Sequence, residues 1–119
     1  MSDTRLGPVE TRFAYIIWEN APLPSGELVK LAEAELGWKK STTYTILRRM
    51  CQKGIFKNED GAVSVLISKE EFAAMQSSEF VSESFGGSLP AFMAAFTSKN
   101  KLTEDEVKQL LELIEKSRG

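Results

Sequence analysis

Apolar side chains recur at helical spacing through the first third of the chain, separated by polar positions and short breaks. The first stretch predicts a helix over residues 9–20, ended before Pro22. Its apolar positions are Val9, Phe13, Ile16 and Ile17. The second stretch predicts a helix that Ser25 caps and Gly37 ends. Residues 1–8 lack this periodicity, and we expect a short flexible arm there.

A third periodic stretch follows after a turn of only a few residues. We expect Ser41 or Thr42 to cap this helix, which runs through Lys53 until Gly54 ends it. Its inward positions are Ile46, Leu47 and Met50. The opposite face is polar. Two helices joined by a tight turn, the second with a polar outer face, are typical of a helix-turn-helix.

Two β-prone stretches, residues 55–59 and 62–67, come next along the chain. Asp60 and Gly61 between them favour a two-residue hairpin turn, because both residue types tolerate a left-handed backbone. A hairpin directly after a helix-turn-helix is the wing of a winged helix. The sequence therefore predicts a mainly α fold with a small β-hairpin.

The pattern becomes helical again from Lys69 and continues until Gly86 interrupts it. A short helix is expected over about 89–97. Thr103 and Glu106 have the spacing of a capping box ahead of a final amphipathic helix. We expect residues 1–68 to form a winged helix-turn-helix DNA-binding domain and residues 69–119 to form a helical dimerisation region.

The helical region contains more large apolar side chains than it can enclose by itself, since five of the seven phenylalanines lie in the last 51 residues. A symmetric homodimer would bury them, and the alternative is that these helices pack back on the first half. The expected dimerisation residues are Phe80, Phe85, Leu89, Phe92, Met93, Phe96, Val107, Leu110, Leu111 and Ile114.

The composition excludes several kinds of site. The chain has no histidine and one cysteine, Cys51, so it lacks the commonest general base and the usual zinc and copper ligand sets. We expect no catalytic residues, no metal, no cofactor and no enzymatic activity. No apolar run approaches the roughly 20 residues that span a bilayer, so we expect a cytoplasmic protein without a membrane partner.

The net charge of −2 is unevenly distributed. Residues 1–68 carry nine Lys or Arg against eight Asp or Glu, and residues 69–119 carry six against nine. Residues 39–57 contain six basic side chains and no acidic one, which indicates double-stranded DNA as the partner. The candidates for base contacts are Ser41, Thr42, Thr45, Arg48 and Arg49, and those for phosphate contacts are Lys39, Lys40, Lys53 and Lys57. Arg48 has the alternative of pairing with a neighbouring carboxylate.

Several short stretches resemble the penicillinase-repressor family in order and spacing, across roughly residues 9–117. They are Ile17-Trp18-Glu19, Gly37-Trp38, the run from Ser41 to Met50, Phe85-Gly86-Gly87-Ser88-Leu89 and the run from Lys101 to Glu106. The resemblance implies a homodimeric winged-helix repressor that binds a palindromic operator and is released by a signal. Carried over by position, Thr42, Thr45 and Arg49 are the recognition residues, with Lys40 and Ser41 at the start of their helix.

The sequence departs from the family pattern in three places. Ala95-Phe96 stands where antibiotic-resistance members are cut between Asn and Phe, and the paired C-x-C motifs of copper-responsive members are missing. The releasing signal, a protease or a ligand, therefore stays open. The wing carries Glu59 and Asp60 at its tip, so we expect it to contribute less to DNA binding than the helix does. The acidic tip also suits the alternative function, a winged-helix module that binds another protein instead of DNA.

Overall fold

The computed structural model describes residues 4–119, which form six helices and a three-stranded antiparallel sheet. In chain order the elements are α1 (Pro8–Asn20), β1 (Leu23–Pro24), α2 (Ser25–Leu36), α3 (Lys40–Gln52), β2 (Phe56–Glu59), β3 (Ala62–Val65), α4 (Lys69–Phe85), α5 (Leu89–Lys99) and α6 (Glu104–Lys116). The predicted mainly α, winged-helix fold is confirmed. The chain divides into two units, of which the first ends at Gln76 and the second begins at Ser77. A functional boundary at residue 68 stays a prediction.

The sheet of the first unit has the strand order β1-β3-β2. Glu59 pairs directly with Ala62, so Asp60 and Gly61 are the two turn residues of the predicted hairpin. Their φ angles of 52° and 78° are both positive, as a type I′ turn requires. The strand β1 was not predicted, because it has two residues and one of them is Pro24; it adds to β3 through the pairs Leu23–Val63 and Pro24–Ala62.

Apolar side chains from α1, α2, α3, the start of α4 and the sheet form the core of the first unit. Its largest fully buried members are Phe13, Ile17, Leu28, Leu47, Met50, Ile55, Phe56 and Val63. Burying a side chain of this size stabilises the fold by about 1.5–3 kcal/mol. Trp18 is half-buried beside this core, with its ring centroid 5.4 Å from that of Phe56 and 5.2 Å from that of Phe72. Its indole N–H donates to the carbonyl of Ile67 at 3.0 Å.

Two predicted helix caps are wrong. Pro24 occupies the N-cap position of α2, because the N–H of Ser25 donates to the carbonyl of Gly61 and its hydroxyl bonds elsewhere. Lys39 occupies the N-cap position of α3, because its carbonyl already accepts the first helical hydrogen bond, from the N–H of Thr43 at 3.0 Å. Ser41 and Thr42 consequently lie in the first turn of α3 rather than before it. The predicted stop at Gly37 is confirmed by its left-handed φ of 68°.

The segment before α1 differs from the flexible arm expected over residues 1–8, of which 1–3 lie outside the described residues. Thr4 is only 2% exposed, and Leu6 packs against the core. The carboxylate of Glu10 accepts a hydrogen bond from the N–H of Gly7 at 3.3 Å, which fixes the entry into α1. Residues 4–8 therefore belong to the folded unit, because Leu6 gains from leaving water.

The second unit comprises the end of α4 together with α5 and α6. The capping box at α6 is confirmed: the Thr103 hydroxyl accepts from the N–H of Glu106 at 3.1 Å, and the Glu106 carboxylate accepts from the N–H of Thr103 at 2.9 Å. The rings of Phe80, Phe85, Phe92 and Phe96 are in contact, with successive centroids 5.5–6.1 Å apart. No side chain of residues 77–119 is fully buried in the single chain.

Candidate nucleic-acid interface

Helix α3 presents a buried face and an exposed polar face. Thr43, Leu47 and Met50 are buried in the first unit. Its exposed side chains include Ser41, Thr42, Thr45, Arg48 and Arg49, which we call the outer face of α3; Lys40 and Gln52, at the two ends of the helix, are exposed as well. Positions three and four apart lie side by side on a helix, so these five form one continuous surface. The structure therefore brings together all five residues proposed to contact bases.

The hydroxyl groups of the outer face differ in what they offer a ligand. Thr45 donates its hydroxyl proton to the carbonyl of Ser41 at 2.9 Å, so it presents acceptor lone pairs and a methyl group. The hydroxyls of Ser41 and Thr42 make no hydrogen bond within residues 4–119. Both can donate or accept. The first two turns of α3 thus expose two adaptable hydroxyls and one methyl-bearing acceptor.

Arg48 and Arg49 are both exposed at the C-terminal half of the outer face. Arg48 forms no ion pair with a carboxylate in the described part of the chain, so the alternative role expected for it is not seen there. Arg49 likewise has no ion pair among these residues. A guanidinium group carries five N–H donors in a planar fork and matches either phosphate or the O6/N7 edge of guanine. Both forks are available for such a contact.

The four lysines expected at phosphates have different surroundings. Lys39 and Lys40 are exposed at the start of α3. Lys53 is half-buried at its end, and its ammonium group donates to the carbonyl of Arg5. Lys57 lies on β2 and pairs with Glu59, with 2.6 Å between Nζ and Oε2. Two of the four lysines are therefore free to reach phosphate, and Lys53 and Lys57 must first exchange a partner.

The wing contains an internal ion pair and a second acidic group. Lys57 holds the pKa of Glu59 below its usual value by hydrogen bonding and by charge attraction, so the carboxylate stays ionised. Asp60, at the turn, is exposed and has no described ion pair. The charges of Lys57, Glu59 and Asp60 sum to −1. A net negative charge is unfavourable beside phosphates, and a smaller contribution of the wing than of the helix to DNA binding stays a prediction.

Two residues next to the outer face were not among the sequence candidates. Tyr44 is half-buried on α3, and its hydroxyl oxygen lies 3.1 Å from that of Ser25 at the start of α2. No local pattern identifies this pair, since the two residues are 19 positions apart. The only feature of the sequence that sets Tyr44 apart is its position between the buried and the polar face of its helix.

Cys51 lies beside a small cavity of about 230 Å³ next to α3. The cavity is lined by Tyr44, Leu47, Arg48, Cys51 and Asn58. Burial raises the pKa of the Cys51 thiol, and a hydrogen bond with the backbone of Asn58 partly opposes that shift. The sulfur is therefore held in the protonated, less nucleophilic form. It behaves as a small apolar side chain at the edge of the core.

Residues 4–119 contain no group of three or more His, Cys, Asp or Glu side chains placed to hold a metal ion. None of the helices in this range is long and apolar enough to cross a membrane.

Comparison with known proteins gives a match over nearly the whole chain. The family model described as "Penicillinase repressor" matches residues 6–116. A curated protein named "Penicillinase repressor", from Bacillus licheniformis, is similar to this chain at 21% identity over 119 residues. That alignment covers 97% of this chain and 93% of the relative.

Proposed function

The chain belongs to the penicillinase repressor family, whose members are DNA-binding transcriptional repressors, and we propose that it represses transcription as a homodimer bound to a palindromic operator. The observation that carries the proposal is the outer face of α3. There, two arginines without an ion pair among residues 4–119 are exposed together with three hydroxyl side chains. A second unit with unburied apolar surface supports the dimer. The winged helix of residues 1–68 would bind DNA and residues 69–119 would dimerise.

Helix α3 has the size and surface needed to enter the major groove. Its 13 residues span about 20 Å at about 1.5 Å per residue. In the proposed complex the N-terminal half lies against base edges, where Ser41 and Thr42 bond to base atoms and the Thr45 methyl contacts a thymine methyl. Arg49 and Arg48 bind guanine edges with two parallel hydrogen bonds each.

Phosphate binding falls mainly to the start of α3 in this proposal. Lys39 and Lys40 neutralise backbone charge on entry to the groove, because both are exposed and unpaired among the described residues. Lys53 can also bind phosphate once its ammonium group no longer donates to the carbonyl of Arg5. Lys57 contributes least, since Glu59 already neutralises it. Affinity therefore depends on α3 more than on the wing.

The case for a dimer comes from the second unit. Large apolar side chains on α6 are more than half exposed, with Leu111 at 61% and Ile114 at 58%. An apolar groove of about 490 Å³ lies between α5 and α6. The expected dimerisation residues fall into two groups. Phe80, Leu89, Phe96, Val107, Leu111 and Ile114 are exposed, and Phe85, Phe92, Met93 and Leu110 are half-buried. A second copy of the chain covers such a surface, and two α3 helices then occupy successive major grooves about 34–36 Å apart.

Control of the repressor belongs to the same proposal. Operator binding places the protein in the cytoplasm, and a protease or a ligand would release it from DNA. The bond between Ala95 and Phe96 lies inside α5, where the carbonyl of Ala95 accepts a hydrogen bond from the hydroxyl of Ser98 at 2.7 Å. Cleavage at this bond therefore requires α5 to open locally first.

The acidic wing tip favours a second candidate, a module that binds another protein. Glu59 and Asp60 at the tip suit a basic partner better than a phosphate backbone. In that case, the outer face of α3 would be a protein-binding surface.

Selection of DNA fragments tests the proposal against this alternative. The purified protein is mixed with genomic fragments near physiological salt, bound DNA is sequenced, and the best fragment is titrated against salt. The proposal expects an inverted repeat and a steep salt dependence. Replacing Arg48 and Arg49 together by Ala should abolish the enrichment, whereas replacing Lys99 and Lys101 in the second unit should not. Weak binding without sequence preference in the wild type would favour the protein-binding module.

A further inference from the structure

Three elements of the first unit are joined at one residue, Ser25. Its N–H donates to the carbonyl of Gly61 in the wing turn at 2.8 Å, and its hydroxyl lies 3.1 Å from that of Tyr44 on α3. The preceding residue, Pro24, pairs with Ala62 in the sheet. The start of α2 therefore connects the wing turn to α3 through two consecutive hydrogen bonds.

Tyr44 occupies a position from which it can control the rotation of α3 about its own axis. It is the helical neighbour of Ser41 and Arg48, both on the outer face. The buried side chains Leu47 and Met50 hold the other face of α3 through apolar contacts, which have little directional preference. A hydrogen bond at the edge of the helix is directional, so it constrains rotation where apolar packing does not.

A small rotation of α3 is enough to disturb contacts with bases. The side chains of a helix end about 6 Å from its axis, so a rotation of about 10° moves them by about 1 Å. Hydrogen bonds to base edges need donor and acceptor within about 2.7–3.2 Å. Contacts with phosphate are less demanding, because charge attraction falls off slowly with distance.

We propose that Tyr44 and Ser25 are positioning residues for sequence-specific DNA binding, because their hydrogen bond fixes the rotation of α3 relative to the wing. This inference rests on the proposed DNA-binding function. The bond aligns the outer face with base edges without contacting DNA itself. Loss of the bond lowers affinity for the correct sequence and leaves affinity for other sequences unchanged.

The test is a double-mutant cycle with Tyr44→Phe, Ser25→Ala and the double variant. Two duplexes serve as probes, the tightest binder that the wild type selects from a random pool and a scrambled duplex of the same composition. Each single variant should bind the selected duplex about two- to tenfold more weakly, as expected for one lost hydrogen bond, and the scrambled duplex equally well. The double variant should bind no more weakly than either single one. Ser25→Thr, which keeps a hydroxyl, should retain wild-type discrimination.

The other tyrosine provides a matched control, since Tyr15→Phe removes an exposed hydroxyl from α1 and should leave both affinities unchanged. Additive losses from Tyr44→Phe and Ser25→Ala would overturn the proposal, because they would mean that the two hydroxyls contact DNA independently. Equal losses on both duplexes, in step with a reduced folded fraction, would also overturn it, since the bond would then serve folding alone.

Failure of the proposed function would be separately visible, because the wild type would not discriminate between the two duplexes. Amide hydrogen exchange in the DNA-free protein then decides the inference. Faster exchange of the α3 amides in both single variants, with no further increase in the double one, would support a positioning bond. Unchanged exchange in α3 would overturn it.

Discussion

Replacement of Glu59 by Gln should strengthen DNA binding, because it frees Lys57 and removes a negative charge from the wing. The two groups are 2.6 Å apart and both are exposed, with side-chain exposures of 50% for Lys57 and 64% for Glu59. An exposed ion pair contributes little to folding, so the variant should unfold like the wild type. Its effect should therefore appear in DNA affinity and not in stability.

The salt dependence of binding gives the magnitude of this effect. Each phosphate that a lysine neutralises steepens the slope of log K against log salt by about 0.9. A homodimer has two wings, so release of both lysines should steepen the slope by about 1.8. Between 50 and 200 mM salt this change corresponds to a factor of about 12, so the gain in affinity over the wild type should be about tenfold larger at the lower salt concentration.

Fluorescence anisotropy of a labelled duplex, titrated at several salt concentrations, measures this slope. Glu115→Gln is the matched control, because it breaks an exposed ion pair with Arg118 (3.5 Å) and changes the net charge equally. It should leave the slope at the wild-type value. Identical slopes for the Glu59 and Glu115 variants would refute the reasoning, since Lys57 would then remain away from DNA even when unpaired.

Three further predictions concern base reading, dimerisation and pH. Arg49→Ala should cost about 1–3 kcal/mol of operator binding and relax the preference at one base pair, whereas Lys40→Ala should mainly reduce the salt slope, by about 1, in the same titrations. Leu111→Glu should leave the single chain folded, because the side chain is 61% exposed, but light scattering should show a monomer whose operator affinity is lower by about a hundredfold. The hydrogen bonds of Thr103 lower the pKa of Glu106, so the capping box should stabilise α6 fully above the ordinary value of 4.5 and lose this contribution as pH falls through the lowered pKa. Protection factors of the α6 amides, corrected for the intrinsic pH dependence of exchange, measure this effect, and Glu106→Gln should remove it.

Each of these predictions has an outcome that contradicts it. Equal affinity of the Arg49 variant for the operator at matched salt would exclude a base contact by that side chain. A dimeric Leu111 variant would show that the exposed face of α6 is not the dimer interface. If the protection of the α6 amides, relative to the unstructured exchange rate at each pH, were independent of pH in the wild type, the carboxylate of Glu106 would not be the group that caps the helix.

The sequence predicted the helices and the hairpin well because their signals are local. The turn at Asp60 and Gly61 needs only two residues that tolerate positive φ, and the box at Thr103 and Glu106 needs only two side chains three positions apart. The pattern of apolar spacing likewise identifies Leu47 as a core residue of α3. Such features do not depend on contacts with residues far along the chain.

The features that were missed depend on partners far along the chain. Ser25 is a good N-cap by residue type, but its N–H and hydroxyl are taken by Gly61 and Tyr44, so Pro24 becomes the cap. The strand β1 forms because β3 has a free edge with which it can pair. The two residues of β1 do not by themselves predict a strand. The same holds for the candidate site. Residue type alone makes Lys57 a candidate for phosphate contact, and only the hairpin geometry shows that it is paired with Glu59.

The mass of the complex between the purified protein and its selected duplex tests the central claim most directly. Light scattering at near-physiological salt should give two chains on one intact duplex. A duplex with one half-site scrambled should bind far more weakly, because half of the base contacts are lost. One chain per duplex, with undiminished binding after one half-site is scrambled, would contradict a homodimer that reads a two-fold-symmetric operator.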